Sequence, residues 1–134
     1  MRGAVLGALR GVRDKANARV GRAGEYYMAH LIELNGLEAA RVDGSCDLHV
    51  TLKSGRILRL EVKTATKYNR KDIQYYIGHS NAEIFALVNM INEPMIRLMS
   101  GDDVAKRNLS IRLKDKDFTP TKQDEDLAWL RSLE

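Results

Sequence analysis

Asp47, Glu61 and Lys63 are the side chains in this sequence whose types and spacing best fit a chemical reaction. Side chains alternate between the two faces of a β-strand, so Glu61 and Lys63 share a face of a strand predicted over residues 57–63. If a strand over residues 46–52 pairs antiparallel with it, Asp47 lies near Glu61 on that face. Carboxylate oxygens are preferred ligands of Mg²⁺, and an ammonium beside them can position an attacking water. The pattern therefore indicates a divalent-metal site of the kind that hydrolyses phosphodiesters.

The strands that carry these residues are predicted from alternation and from the turn between them. Cys46, Leu48, Val50 and Leu52 place apolar side chains on the face opposite Asp47. The segment 53–55, Lys-Ser-Gly, is short enough to join the two strands as a hairpin. The hairpin thus has one apolar face for the core and one face that bears the acids.

Other elements must support this hairpin. Apolar residues recur at helical spacing over 17–35, and Gly36 supplies a C-terminal stop. Further strands are predicted over 38–42, 83–89, 95–99 and 111–113, with a short helix capped at 101–103 and a terminal helix over 121–133. Residues 64–82 stay unassigned. The order predicts one α/β domain over 1–134, with a mixed central β-sheet flanked by helices and residues 1–18 as a basic N-terminal arm.

The positive charge of the chain is concentrated in two places. Lysine and arginine number 22 against 18 acidic residues, a formal charge of +4. Residues 1–22 hold six cationic residues against Asp14, and residues 53–71 hold seven against Glu61. Such patches favour a polyanionic partner such as DNA, because they displace the counterions condensed on phosphates. The competing interpretation is an ordinary solvated surface.

Several classes of protein are disfavoured by the composition. The single Cys46 excludes an internal disulfide and argues against a thiolate zinc site. No apolar run approaches the roughly 20 residues that span a bilayer. We therefore expect a cytoplasmic protein that does not act at a membrane.

The ordered motifs resemble those of the PD-(D/E)XK nuclease superfamily. In that superfamily an acid on one strand precedes an acid-x-lysine on the next, as Asp47 precedes Glu61-Val62-Lys63 here, and an upstream helical glutamate is common, as at Glu25. The resemblance is to small stand-alone members, among them homing endonucleases of group I introns and archaeal Holliday-junction resolvases. Cys46 stands where the motif has its proline, and Asp43 is an alternative acid.

The resemblance implies a restriction-endonuclease-like core and a role for each matched residue. Asp47, Glu61 and the backbone carbonyl of Val62 would bind Mg²⁺ or Mn²⁺, and Lys63 would position or activate the attacking water. Glu25 would act from the helix, as a ligand through water or as an orienter of Lys63. Gln74 matches a polar accessory position in some relatives.

The expected substrate is DNA. The candidate DNA-binding residues are Arg13, Arg19, Arg22, Lys67, Arg70 and Lys71, and His49 is a further candidate because it shares the face of Asp47. One such site cuts one strand, so a homodimer or homotetramer is expected. The leading prediction is a homing-type or related site-directed endonuclease. The alternatives are a junction resolvase and a DNA-binding module without catalysis, and for Glu25 a structural ion pair with Arg22.

Overall fold

The fold begins with one long helix. The computed structural model describes residues 2–44, 46–78, 80–108 and 110–134, with the side chains of 2–15 outside the description. Helix α1 has 33 residues, Arg2–Leu34, and is about 50 Å long at the usual rise per residue. Gly36 ends it with φ of 80°, and the Leu37 N–H donates to the Ile32 carbonyl at 3.2 Å. This left-handed glycine and backward hydrogen bond form a Schellman cap, and Leu37 is buried in the core behind it.

The remaining elements form a mixed sheet, a separate two-stranded ribbon and two more helices. In chain order they are β1 (Glu38–Arg41), β2 (Leu48–Thr51), β3 (Ile57–Ala65), β4 (Ile73–Tyr76), β5 (Ile84–Asn89), β6 (Met95–Ser100), α2 (Gly101–Lys106), β7 (Ser110–Leu113), a 3₁₀ turn (Asp115–Asp117) and α3 (Pro120–Ser132). The main sheet has the order β1-β2-β3-β5-β6, in which β3 and β5 are parallel and all other neighbours antiparallel. Strands β4 and β7 pair antiparallel as the ribbon.

Two apolar cores lie on opposite faces of the main sheet. Met28 of α1 and Leu130 of α3 pack with Leu60 of β3 on one face. On the other face, Phe85 of β5 packs with Tyr75 of the ribbon and with residues of α2 and β7. Glu61 and Lys63 point toward the ribbon side, because they alternate with Leu60 and its neighbours and pair in register with Phe85 and Leu87.

The mixed sheet flanked by helices confirms the predicted fold class. The hairpin is also confirmed: Gly55, with φ of 90°, closes the turn by donating to the Leu52 carbonyl at 2.9 Å. The predicted helix start at residue 17 was wrong, since α1 begins at Arg2 and the expected basic arm is part of that helix. Strand β4 was not predicted. It lies in the unassigned stretch, and its partner β7 follows only much later in the chain.

Candidate active site

Asp47 lies where the β2–β3 ladder ends. The pairing runs from Thr51 opposite Ile57 to Leu48 opposite Leu60, and then the Asp47 N–H donates to the Leu60 carbonyl at 3.1 Å. One step further along β3, Asp47 Oδ2 accepts the Val62 N–H at 2.8 Å. A side-chain carboxylate thus replaces the next backbone acceptor. This hydrogen bond fixes Asp47 beside the Glu61-Val62-Lys63 segment.

Glu61 is a largely buried carboxylate. Its side chain is 15% exposed, and its Oε2 has no hydrogen-bond partner among the described residues. The Lys63 ammonium lies 3.7 Å from that oxygen, close enough for an ion pair but too far for a good hydrogen bond. Burial raises the pKa of Glu61; Lys63 and the hydroxyl of Ser80 oppose the rise, and the charge of Asp47 adds to it. A carboxylate in this position gains from an added cation.

This donor set fits a hard divalent cation. Asp47 and Glu61 supply two carboxylates, and Glu61 Oε2 is a buried oxygen that still lacks a partner. In the described part of the chain no three His, Cys, Asp or Glu side chains form a group suited to holding a metal. Two carboxylates are nevertheless enough for Mg²⁺, which usually keeps several waters and is completed by substrate phosphate. The residues present therefore fit Mg²⁺ better than structural zinc, which needs a full set of protein ligands.

A cleft of about 740 Å³ opens beside Lys63. Its walls come from α1, the end of β3 and the segment leading into the ribbon. Of the predicted residues, Val62, Lys63, Lys67 and Gln74 line it together, and no acidic side chain does. Its other side-chain contributions include Asn17, Val20, Thr66, Tyr68, Asn69 and Tyr76. We call this the Lys63 cleft. Lys63 is 36% exposed, so its ammonium is accessible to a bound anion.

Glu25 is engaged elsewhere. The Arg41 guanidinium lies 2.9 Å from Glu25 Oε2, donates a second hydrogen bond to the Tyr26 hydroxyl at 2.9 Å, and lies over the Tyr26 ring. The structural ion pair considered as an alternative for Glu25 is formed with Arg41, a residue of the edge strand β1, and not with Arg22. The side chain of Glu25 does not join Asp47 and Glu61 in a group of three, and its catalytic role stays a prediction.

The other predicted residues are dispersed. Arg19 and Arg22 are exposed on α1, whereas the side chain of Arg13 lies outside the described residues. Arg70 and Lys71 are exposed at the tip of a tight turn. His49 is half-buried on β2, where its register partners are Ala40 and Arg59 rather than a site residue. Asp43 is exposed in the β1–β2 loop, so Asp47 is the acid that reaches β3.

Ser80 is a residue that sequence reasoning missed. It lies in the loop between β4 and β5, accepts the Ala82 N–H at 3.2 Å, and its hydroxyl stabilises the charged form of Glu61. Nothing in the local sequence indicates this contact, since a lone serine in a loop has no distinctive pattern.

With this geometry in place, the fold can be compared with solved structures. The chain shares its fold with a bacterial homing endonuclease. The neighbour is I-Ssp6803I, with a TM-score of 0.63 over 84% of this chain and 90% of the other, at 13% sequence identity. No protein-family model matches the sequence, and no curated protein does. The likeness thus establishes a nuclease-like fold, and the chemistry has to be argued from the residues.

Within the described residues, no helix combines the length and the apolar character required to cross a bilayer.

Proposed function

We propose that this chain is a divalent-metal-dependent DNA endonuclease of the PD-(D/E)XK type. The observation that carries the proposal is the hydrogen bond from Val62 N–H to Asp47 Oδ2, which places one carboxylate beside a second, Glu61, whose buried Oε2 has no partner in the described chain. The similarity to a protein described as a homing endonuclease supports a nuclease. Among nucleases it favours the homing-type or related site-directed class over a junction resolvase.

Each residue has a distinct task in this proposal. Asp47, Glu61 and the Val62 carbonyl hold Mg²⁺ or Mn²⁺, which when bound supplies positive charge to the phosphate oxygens in the transition state. Lys63 faces the cleft and orients the attacking water through its ammonium. Ser80 partly offsets the burial that raises the pKa of Glu61. Glu25 acts only after exchanging its bond to Arg41, as a ligand through water or as an orienter of Lys63.

The DNA approaches through the Lys63 cleft. Lys67 lines that cleft, Arg70 and Lys71 follow Asn69 of its lining in the chain, and Gln74 contacts the reacting strand from the ribbon. The exposed Arg19 and Arg22, together with Arg13, extend the cationic surface along α1. Cleavage of both strands requires a second copy, so we propose a homodimer or homotetramer acting in the cytoplasm.

Plasmid nicking in Mg²⁺ tests the proposal. We expect the wild type to nick supercoiled plasmid, EDTA to abolish nicking, and Lys63→Ala or Glu61→Gln to lower the rate by on the order of 100-fold or more. Lys53→Ala is the matched control, because Lys53 is an exposed cation in the β2–β3 turn, at the other end of β3. Nicking that survives both active-site changes would reject the proposal.

Two further comparisons separate the remaining alternatives. A higher cleavage rate on synthetic four-way junctions than on linear duplex would favour the resolvase over the homing-type enzyme. A non-catalytic DNA-binding module predicts calorimetric titrations with Mg²⁺ or Mn²⁺ that are the same for wild type and Asp47→Ala. The endonuclease predicts that Asp47→Ala weakens the binding of the metal.

A further inference from the structure

The outer face of the β4–β7 ribbon is polar and cationic. Gln74 pairs in register with Arg112 and Tyr76 with Ser110, while Ile73 and Tyr75 on the alternating positions are buried. Arg112 and Tyr76 are exposed, Tyr76 to 69%. The ribbon therefore turns its apolar side to the sheet and presents the Gln74–Arg112 pair to solvent.

Three clefts meet along this face. The Lys63 cleft includes Gln74, and Gln74 also lines a second cleft of about 240 Å³ with Arg70 and Arg112. Arg112 in turn borders a third cleft of about 420 Å³, which Arg107 and Lys122 also line. Neighbouring clefts share lining residues, Gln74 between the first and second and Arg112 between the second and third, and we call the three clefts together the ribbon track. It runs from Lys63 at the candidate active site across the ribbon to the start of α3.

The ribbon track is strongly cationic. Seven of its lining residues are Lys or Arg, against the three acids Asp72, Asp117 and Glu125. Three of the cations are already paired: Lys63 with Glu61, Arg97 with Asp126 and Lys122 with Asp117. Arg107 and Arg112 are exposed and form no salt bridge with any other described residue. Their charges are available to an external anion.

A tight turn carries Arg70, which lines the track, and adds Lys71 beside it. Two backbone hydrogen bonds of 2.8 and 3.1 Å between Asn69 and Asp72 close it, with Arg70 and Lys71 at its tip. Arg70 has φ of 61°, a conformation uncommon for a residue other than glycine, asparagine or aspartate. The Asn69 amide donates to Gln74 Oε1 at 2.5 Å and ties the turn to the ribbon. The two cations are thus held against the track on a short, closed turn.

We propose that the DNA duplex flanking the scissile phosphate lies along the ribbon track, with Arg107 and Arg112 contacting its phosphates. This inference rests on the proposed function for the position of the scissile phosphate. A continuous cationic surface next to the candidate active site matches the backbone of a duplex, which carries one negative charge per roughly 1.7 Å of helix axis. Such contacts fix the position of the DNA without reading its sequence. Arg107 and Arg112 lie outside both basic stretches of the sequence.

Fluorescence anisotropy with a labelled 30-base-pair duplex of arbitrary sequence, in EDTA and over a range of salt concentrations, tests the track. Each lost phosphate contact lowers the slope of log Kd against log salt by about 0.9. We expect Arg107→Ala/Arg112→Ala to lower the slope by about 1.8, and to raise Kd about 30-fold at 0.15 M salt when both lines are extrapolated to 1 M. Arg112→Lys keeps the charge and should keep the wild-type slope.

Lys53→Ala is again the matched control, and it should leave the slope unchanged. Thermal melting followed by circular dichroism verifies that each variant is folded. If the double variant is unfolded, Arg112→Glu alone is measured, and its slope of log Kd against log salt should fall more than that of Arg112→Ala. A double variant that binds with the wild-type slope overturns the ribbon track, even if the wild type nicks plasmid. A loss of slope in a protein that does not nick supports the track and rejects the endonuclease.

Discussion

Replacing Glu61 by glutamine should stabilise the metal-free protein. The side chain is 15% exposed and its Oε2 has no hydrogen-bond partner among the described residues. A buried charged group without a hydrogen-bond partner costs more than the roughly 1–3 kcal/mol of a neutral one, and the neutral amide of glutamine removes this extra cost of the charge. Loss of the half-exposed Lys63 pair at 3.7 Å costs about 0–1 kcal/mol in return. A net gain of about 1–2 kcal/mol raises the melting temperature in EDTA by roughly 3–6 °C for a domain of this size.

Divalent metal should reverse this order. A ligand at 100 times its Kd stabilises the folded state by about 2.7 kcal/mol. The wild type should gain this stability in Mg²⁺ or Mn²⁺, whereas the Glu61→Gln variant lacks one metal ligand and should gain much less. Differential scanning fluorimetry in EDTA and in saturating metal measures both. The variant should melt above the wild type without metal and below it with metal.

The pH dependence of the metal-free stability provides a second readout. Because the folded-state pKa of Glu61 is raised by burial, the folded protein binds more protons than the unfolded one between the two pKa values. The wild type therefore loses stability as the pH rises through that window, and Glu61→Gln lacks this contribution. Glu38→Gln, an exposed control on β1, should change neither readout by more than about 0.5 kcal/mol. Equal metal-induced shifts in wild type and Glu61→Gln would refute the reasoning.

Two further predictions concern the scaffold. Gly24→Ala should destabilise the fold by about 1–3 kcal/mol, because a Cβ there would meet Thr64 Oγ1 at 1.9 Å, although alanine ordinarily favours a helix over glycine. In urea denaturation, adding Thr64→Ala should restore most of the lost stability, and a double variant as unstable as Gly24→Ala would contradict the clash. Asp126→Ala should lower the free energy of unfolding by about 2–4 kcal/mol, because Asp126 Oδ2 accepts hydrogen bonds from both the Leu98 N–H and the Arg97 Nε–H at 2.8 Å. A loss below about 0.5 kcal/mol in the same assay would show that this contact is dispensable.

The sequence predicted those features that depend on local pattern. Alternation along residues 46–63 was sufficient to pair β2 with β3 and to place Asp47 beside Glu61, because a short turn joins neighbouring strands and leaves few registers. The start of α1 was missed, because residues 2–16 lack the clear apolar periodicity of the segment that packs on the sheet.

Features that depend on distant contacts could not be predicted in this way. Strand β4 has four residues and pairs with β7, so neither periodicity nor a nearby turn indicates it. Arg112 becomes part of a cationic path only through its register with Gln74. The resemblance to the nuclease superfamily implied a place for Glu25 at the metal site, whereas its partner Arg41 lies on an edge strand whose pairing the sequence did not define.

The central claim is that Asp47 and Glu61 share one divalent ion, and anomalous diffraction from crystals soaked in Mn²⁺ tests it directly. The account predicts a peak between the two carboxylates, at roughly 2.0–2.2 Å from an oxygen of each. The Glu61 Oε2 that lacks a hydrogen bond should be one of these ligands. The claim would be contradicted by fully occupied Mn²⁺ elsewhere with none between Asp47 and Glu61.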